Sequence, residues 1–419
     1  MNGNNNQLLD IGRLITEVFA IDVGRPVEGA TVRITTAGEN GEEQIIDELI
    51  TDNSGHTPVI DLAAPPVDFS MFPGEPRPYS LYNINIFAEG FMPVLIEEAQ
   101  ILPNSTAIQN VRLRPEVNDF PEAQDIFIEP HTLYGVFPPK IPEEEVKPLP
   151  ESLGLVVLPE PVVPEFVIVH EGVPDDTTAR NLWIPFKDYI KNVASCEIYS
   201  TWPVSTIRAN VLAILSFTLN RIYTEWYRGK GYDFTITNST AYDQAFVYQR
   251  NIFSEISVVV DDLFTTFITR PNIRQPLFTQ YCDGARTSCP GWLSQWGSKN
   301  LGERGFNSID ILKNYYGQDI FLMQAERVEG VPQSYPGTIL QLGSTGAAVR
   351  TIQEQLNAIS NNFPAIGRLA VDGIYGPRTR ESVETFQRVF NLPTSGIVDF
   401  ATWYEISNIF VAVTRMAEL

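Results

Sequence analysis

Residues 195–203 read SCEIYSTWP and lie where two predicted helices meet. Upstream, apolar side chains recur at the i, i+3, i+4, i+7 and i+8 spacing of one helix face. These residues are Phe186, Tyr189, Ile190, Val193 and Ala194. Glu197 continues the same spacing at i+11, so the pattern predicts a carboxylate on the buried side of a helix. A second helix pattern begins immediately after Trp202 and Pro203.

A carboxylate on a buried stripe is costly unless it is paired, hydrogen-bonded or protonated. One interpretation is that Glu197 is a catalytic general acid. The other is that its charge stabilises the free amide groups of the helix that begins at Pro203. The residues of this stretch leave both interpretations open.

The amino-acid composition limits the kinds of molecule that this protein is expected to bind. The chain has 419 residues and a net charge of -22, and most of the acidic excess lies before Pro150. Because phosphate recognition needs clustered Lys and Arg, and no such cluster is present, nucleic acid is excluded and a neutral or polar polymer is favoured. The longest strongly apolar stretch, Val211 to Leu219, is too short for a membrane span. The amino terminus lacks the basic and apolar segments of a secretory signal.

The chain divides into four predicted segments. Residues 1–114 alternate in short apolar runs separated by Gly, Pro and Asn, which predicts a β-sandwich. Residues 115–164 are Pro-rich and acidic, and we predict an extended, protease-accessible linker there. Residues 165–330 predict a mainly helical unit with some short strands. Residues 336–410 predict a small three-helix domain.

Two features of the front half remain open at this point. The apolar patch at 153–158 within the linker is either a strand that docks on a neighbour or a recognition sequence. His56 lies in a predicted polar turn and His131 in the predicted linker, where we expect solvated imidazoles.

Several stretches resemble known families. ASCEIYSTWPVSTIRANVLAILSFTLNR and LSQWGSKNLGERGFNSIDILKNYYGQDI resemble two blocks, in the right order, of the stage II sporulation protein D (SpoIID) family of peptidoglycan lytic transglycosylases. DGIYGPRTRESVETFQ resembles the type 1 peptidoglycan-binding domain. RPVEGATVRI, TDNSGHTPVIDL, PYSLYNINIFAEGF and NVRLRP resemble the transthyretin-like fold. The order of the units resembles the clostridial spore cortex-lytic enzymes.

The resemblance implies a lytic transglycosylase that cleaves the bond between N-acetylmuramic acid and N-acetylglucosamine. Glu197 matches the family's catalytic acid and would act first as acid and then as base. Asp243 is the reserve candidate for a second carboxylate, as a muramidase-type hydrolase requires. A rival from another class is a non-catalytic spore-wall scaffold. The remaining candidates for the substrate cleft are Trp202, Gln244, Tyr281, Ser294, Gln295 and Trp296.

The same resemblance implies a zymogen, made without a signal peptide in the mother cell and located in the spore cortex or coat region. Subtilisin-like germination proteases would cut it near Leu155 and Val156, and no cofactor is required. The family commonly has a histidine where this chain has Cys289. Since Cys282 lies seven residues earlier, the two cysteines predict a disulfide, two free thiols or a structural zinc site, and all three remain open.

Overall fold

The computed structural model describes residues 9–21, 25–38, 42–116, 124–148 and 160–415. The predicted cleavage positions Leu155 and Val156, and the apolar patch at 153–158, lie outside these described residues. Within the described ranges, none of the helices combines the length and the apolar character that a membrane span requires.

The front of the chain is β-rich, as its short alternating runs predict. It contains eight strands in the described residues: β1 (Asp10–Ala20), β2 (Thr31–Ala37), β3 (Glu43–Ile50), β4 (Ile60–Ala64), β5 (Ser80–Phe87), β6 (Val94–Ile101), β7 (Thr106–Leu113) and β8 (Gln124–Phe127). One sheet has the order β3-β2-β5-β6-β8, and the other contains β7-β1-β4. Alternate residues of both sheets are fully buried, for example Val32 and Ile34 in one and Leu14 and Val18 in the other.

The middle of the chain is helical with short strands, again as predicted. Its elements are β9 (Val162–Val163), β10 (Phe166–His170), β11 (Asn181–Pro185), α1 (Phe186–Glu197), α2 (Val204–Tyr223), β12 (Ile236–Thr237), β13 (Ile252–Phe253), α3 (Ser254–Leu263), β14 (Thr266–Thr269), β15 (Tyr281–Cys282), β16 (Leu293–Ser294), α4 (Gln295–Glu303), α5 (Ser308–Tyr316), β17 (Phe321–Gln324) and β18 (Arg327–Val328). Helix α2 is buried along most of its length because α1, α3, α4 and α5 all pack against it. It is the central helix of this unit.

The last unit has the predicted three helices: α6 (Ala347–Ile359), α7 (Pro377–Val389) and α8 (Phe400–Arg415). It is packed onto the middle unit through α8. The Phe264 ring contacts the rings of Phe400 and Tyr404, with centroids 5.5 and 5.2 Å away. A buried ion pair between Lys187 and Glu405 joins the start of α1 to the same face of α8.

Residues 128–148 contain no helix or strand, as predicted for the linker, but residues 124–148 are bound to the folded units and do not stand apart from them. Strand β8 pairs in parallel with β6, and residues 128–148 lie against the middle unit. The amide of Ile141 donates to Ala241 O at 2.7 Å, and the amide of Phe278 donates to Glu145 O at 2.9 Å. Sequence periodicity missed this segment because its backbone groups pair with distant residues rather than within a regular element.

The β-rich front is also not separated from the middle unit. Strand β13 pairs antiparallel with β7, so that the middle unit contributes the fourth strand of the second sheet, in the order β13-β7-β1-β4. The indole Nε1 of Trp202 donates to Ser70 O at 2.9 Å, and the hydroxyls of Ser105 and Ser200 are 2.7 Å apart. The front therefore lies directly over the SCEIYSTWP stretch.

Candidate active site

Glu197 is the last residue of α1, and its carboxylate is buried, with only 4% of the residue exposed. Oε1 accepts from the Ala245 amide at 3.0 Å and from the Tyr281 hydroxyl at 3.3 Å. Oε2 accepts from Gln295 Nε2 at 3.1 Å and lies 3.3 Å from Thr132 Oγ1. The carboxylate thus faces the loops around α1 and α4 and not the first amides of α2. The inward-facing acid is confirmed, and the helix-capping interpretation is wrong.

The groups around Glu197 are neutral donors. Burial, reinforced by the negative charge of Glu197, raises the pKa of Tyr281 well above its ordinary value, so this phenol stays protonated and donates. A cation, Lys140, lines the same cavity, and its Nζ lies 4.7 Å from the Tyr281 ring centroid. Burial lowers the pKa of Lys140, an effect that the Glu197 and Asp243 carboxylates oppose. Lys140 donates to backbone carbonyls and not to Glu197.

A cavity of about 270 Å³ adjoins Glu197. Its floor is formed by the middle unit, including Tyr281, Asp283 and Gln295. Its other wall is formed by Thr132 and by residues 136–140 of the segment predicted as linker. A second cavity of about 340 Å³ lies beyond Tyr134 and Arg286. The acid therefore faces a cleft that the front half of the chain partly fills.

Two of the predicted cleft residues, Tyr281 and Gln295, line this cavity with Glu197. Gln244 lies behind them, where its Oε1 accepts from Thr218 at 2.8 Å and from Tyr189 at 3.2 Å. It is buried in the core of the unit rather than in the cleft.

The three remaining cleft candidates have structural positions, which corrects their assignment. The hydroxyl of Ser294 accepts from the Gly297 amide at 2.9 Å and caps α4. Trp202 and Trp296 are buried with ring centroids 5.0 Å apart. Because two packed indoles present no free face, they form the core beneath the acid and not a sugar-stacking platform.

Asp243, the reserve second carboxylate, is also excluded from the cleft. It is fully buried and forms an ion pair with Arg221 at 2.7 Å. Its Oδ2 accepts from the Tyr227 hydroxyl at 2.6 Å and from the amide and hydroxyl of Thr237 at 2.9 and 2.7 Å. Every direction around this carboxylate is taken by a donor, so its role is structural.

Cys282 and Cys289 form a disulfide, which is one of the alternatives that the sequence left open. Within the described residues, no group of three or more His, Cys, Asp or Glu is placed to hold a metal ion. The disulfide closes a loop that carries Asp283 and Arg286. Arg286 and three loop amides donate to the Asp283 carboxylate, and together they lower its pKa against the opposing effect of burial.

Sequence reasoning missed four residues of the site: Thr132, Lys140, Asp283 and Arg286. The first two lie in an aperiodic Pro-rich stretch, which carries no signal of a cleft. The other two lie in the Gly-rich loop between the cysteines, where a disulfide constrains a polar loop, and that signal could have been used.

The expectation of solvated histidines is wrong. His131 is buried, its Nε2 lies 3.3 Å from Ile198 O, and its ring packs at a tilt against Tyr199, with centroids 4.4 Å apart. Burial lowers its pKa well below the ordinary value, so the imidazole is neutral. His56 is buried beside Glu17, with Nε2 to Oε1 at 3.7 Å.

Comparison with known proteins identifies the last unit. Residues 345–406 match the family model of a peptidoglycan binding domain. The zinc D-Ala-D-Ala carboxypeptidase of Streptomyces albus G is 36% identical over 74 residues, which are 17% of this chain and 27% of that protein. The chain thus spans about a quarter of the length of this curated relative. The carboxy-terminal unit is a peptidoglycan-binding domain, which indicates association with the cell wall.

Solved structures give weaker likenesses. The wild-type catechol 1,2 dioxygenase of Acinetobacter radioresistens is 14% identical, with a TM-score of 0.19, over 30% of this chain and 60% of that one. Klebsiella pneumoniae 5-hydroxyisourate hydrolase is 17% identical, with a TM-score of 0.16, over 25% of this chain and 92% of that one. TM-scores this low assign neither a fold nor a function.

Proposed function

We propose that this protein is a peptidoglycan lytic transglycosylase of the spore cortex, with Glu197 as its acid and base. The observation that carries the proposal is a buried carboxylate, held by neutral donors, that borders a cleft in a chain with a peptidoglycan-binding domain. A buried carboxyl group that borders a substrate cleft is positioned to transfer a proton to and from a bound substrate.

The reaction needs only one such residue. Glu197 donates its proton to the oxygen that links N-acetylmuramic acid to N-acetylglucosamine, and the bond from the muramic C1 to that oxygen breaks. The Glu197 carboxylate then takes the proton from the 6-hydroxyl of the same muramic residue as this oxygen attacks C1. The product ends in a 1,6-anhydro ring, no water is consumed, and Glu197 recovers its proton. Tyr281 and Gln295 are positioning residues that hold the carboxyl group in the cleft.

A muramidase-type hydrolase is the second candidate. It requires a second carboxylate near the scissile bond. Asp283 is the carboxylate that the described cavity offers besides Glu197. Arg286 and the amides of Ala285 and Thr287 already occupy its oxygens, which favours the single-acid route.

We also propose that the chain is a pro-form that acts in germination. Subtilisin-like germination proteases would cut it near Leu155 and Val156, after synthesis in the mother cell and deposition in the spore. Thr132 and residues 136–140 of the front half line the cleft beside Glu197, which supports a pro-form in which this segment competes with glycan for the cleft.

Product analysis tests this function. Insoluble cortex peptidoglycan from decoated spores is incubated with the full chain before and after limited proteolysis, and the released fragments are identified by mass spectrometry. Fragments with anhydro ends support the transglycosylase, and fragments one water heavier with reducing ends support the hydrolase. Binding to the peptidoglycan with no soluble fragment from either preparation would support the scaffold.

A further inference from the structure

One segment of the front half lies directly on the candidate acid. We name residues 131–140 the strap and residues 282–289 the disulfide loop. The amide of Thr132 donates to Cys196 O at 3.2 Å, and its hydroxyl donates to the same carbonyl at 2.8 Å. The strap thereby caps the end of α1, at the residue next to Glu197, and fills the wall of the cavity opposite Tyr281.

The hydroxyl of Thr132 has a single proton. It lies 2.8 Å from Cys196 O and 3.3 Å from Glu197 Oε2, and the shorter contact takes the proton. With its proton on Cys196 O, the hydroxyl oxygen presents a lone pair to which a protonated Glu197 can donate, whereas to the carboxylate the same hydroxyl can only donate. A general acid at this position would donate to that oxygen as it would donate to the bridging oxygen of a glycan.

The disulfide loop clamps the first half of the strap. Arg286 Nη2 donates to Thr132 O at 2.7 Å, and Nη1 donates to Tyr134 O at 3.0 Å and also to Gly135 O. The same guanidinium donates from Nε to Asp283 at 2.9 Å. Charge-assisted bonds of this kind are among the stronger hydrogen bonds in proteins, so Arg286 is the main clamp on the strap.

The second half of the strap is held independently. Lys140 Nζ donates to Thr240 O at 3.4 Å and to Asp243 O, and the next residue, Ile141, donates its amide to Ala241 O at 2.7 Å. Between the two held ends, Val136 is 96% exposed. The strap is therefore fixed at both ends across the cleft, with its middle in solvent.

We propose that the strap is a built-in occupant of the catalytic cleft, in which Thr132 Oγ1 takes the place of the glycosidic oxygen at Glu197 and Arg286 holds it there. This inference rests on the proposed function of Glu197. It assigns inhibition to the strap, whereas the β-rich front serves to anchor it.

The position of the strap in the chain explains how proteolysis releases it. The strap precedes residues 149–159, and the catalytic helices follow them. While the chain is intact, the covalent link keeps the strap at a high effective concentration at the cleft. A cut in 149–159 turns it into a separate fragment, which glycan can displace together with the front half.

Two full-chain variants test the strap against a matched control. Arg286→Gln removes the clamp, and Thr132→Val removes the hydroxyl with little change in volume. Arg208→Gln is the control, because Arg208 pairs with Asp262 on the surface and touches neither the strap nor the cleft. Hydrogen exchange of the amides in 131–141 is measured by mass spectrometry, and release of soluble fragments from cortex peptidoglycan is measured on uncut chains.

We expect wild type and the control to protect the strap amides and to release little glycan. In Arg286→Gln we expect exchange on the order of tenfold faster or more, since three hydrogen bonds to the strap are lost, together with release by the uncut chain. In Thr132→Val we expect faster exchange of the strap amides and more glycan release by the uncut chain, both to a smaller extent. This second variant keeps the test valid if Arg286→Gln does not fold.

Two results would contradict the proposal that the strap occupies the catalytic cleft. The first is unprotected strap amides in wild type. The second is equal release by the uncut wild type and by a variant whose strap exchanges faster, in a preparation whose proteolysed wild type does release glycan. A different result would overturn the proposed function alone: a strap that opens in the variants while neither they nor the proteolysed wild type release any glycan. That result would still support the strap as an occupant of this cleft.

Discussion

Glu197 and Asp243 are two carboxylates with almost no exposed surface, at 4% and 0%, yet their surroundings differ in kind. Asp243 belongs to a charge-balanced network in which Arg221 joins it to Glu143, and Glu143 in turn pairs with Lys147. Glu197 has neutral hydrogen-bonding partners and borders a cavity. Burial therefore does not by itself indicate a functional acid. The difference lies in whether a cation fixes the charge and whether a substrate can reach it.

The largest effect should come from breaking the network of Asp243. Arg221→Met leaves two carboxylates without their shared cation, one of them fully buried. We expect a loss of roughly 3–5 kcal/mol in the free energy of unfolding, measured by urea denaturation. The exposed pair of Arg208 with Asp262 is the control, and Arg208→Met should cost about 1 kcal/mol or less. Equal losses in the two variants would remove the distinction between the network and an ordinary surface pair.

A smaller loss is expected on the side of Glu197, where a disulfide stabilises the loop. Changing both Cys282 and Cys289 to Ser should cost about 2–3 kcal/mol, by the loop-entropy estimate for so short a loop. Wild type unfolded in the presence of a dithiol reductant should match the variant. Two free thiols in the untreated protein at these positions, found by alkylation and mass spectrometry, would contradict the disulfide.

The smallest effect concerns pH. Burial lowers the pKa of Lys147 to about 8, although the Glu143 carboxylate opposes the shift. An unfolded lysine titrates at about 10.4, so between these values the unfolded chain binds more protons at this residue than the folded chain. Stability from this group therefore rises with pH through that window.

Lys147→Met removes this titration. The stability of wild type relative to the variant should become more favourable between about pH 8 and pH 10, and it should be constant below about pH 7. This difference in stability is measured by thermal unfolding of both proteins across the pH range at matched ionic strength. A relative stability that falls as pH rises would contradict the depressed pKa.

The sequence predicted the buried position of Glu197, but it did not predict the surroundings of Asp243. The helical spacing that ends at Glu197 placed the acid inside, because the period of a regular helix is visible in the residues. Tyr281 and Gln295 came from the family resemblance and not from a period, since Tyr281 lies in the short strand β15 and Gln295 is the first residue of α4. The same reasoning selected Asp243 wrongly, because one position in a loop carries no sign of the arginine that pairs with it.

The segment 124–148 was missed for a related reason. Its prolines and glutamates are typical of an exposed spacer. In the structure Glu143 pairs with Arg221, and Lys147 lies over the Phe278 ring at 4.1 Å. These partners are far away in the sequence, so no local pattern predicts the contacts.

The most direct test of the central claim compares Glu197→Gln with Asp243→Asn. Both proteins are assayed after limited proteolysis for release of glycan from cortex peptidoglycan, and the rate is expressed per folded molecule from a parallel unfolding measurement. Glu197→Gln should keep its stability within about 1 kcal/mol and lose activity by a factor of roughly 10²–10⁴. Asp243→Asn should lose stability and keep its activity per folded molecule. Full glycan release by Glu197→Gln would contradict the account.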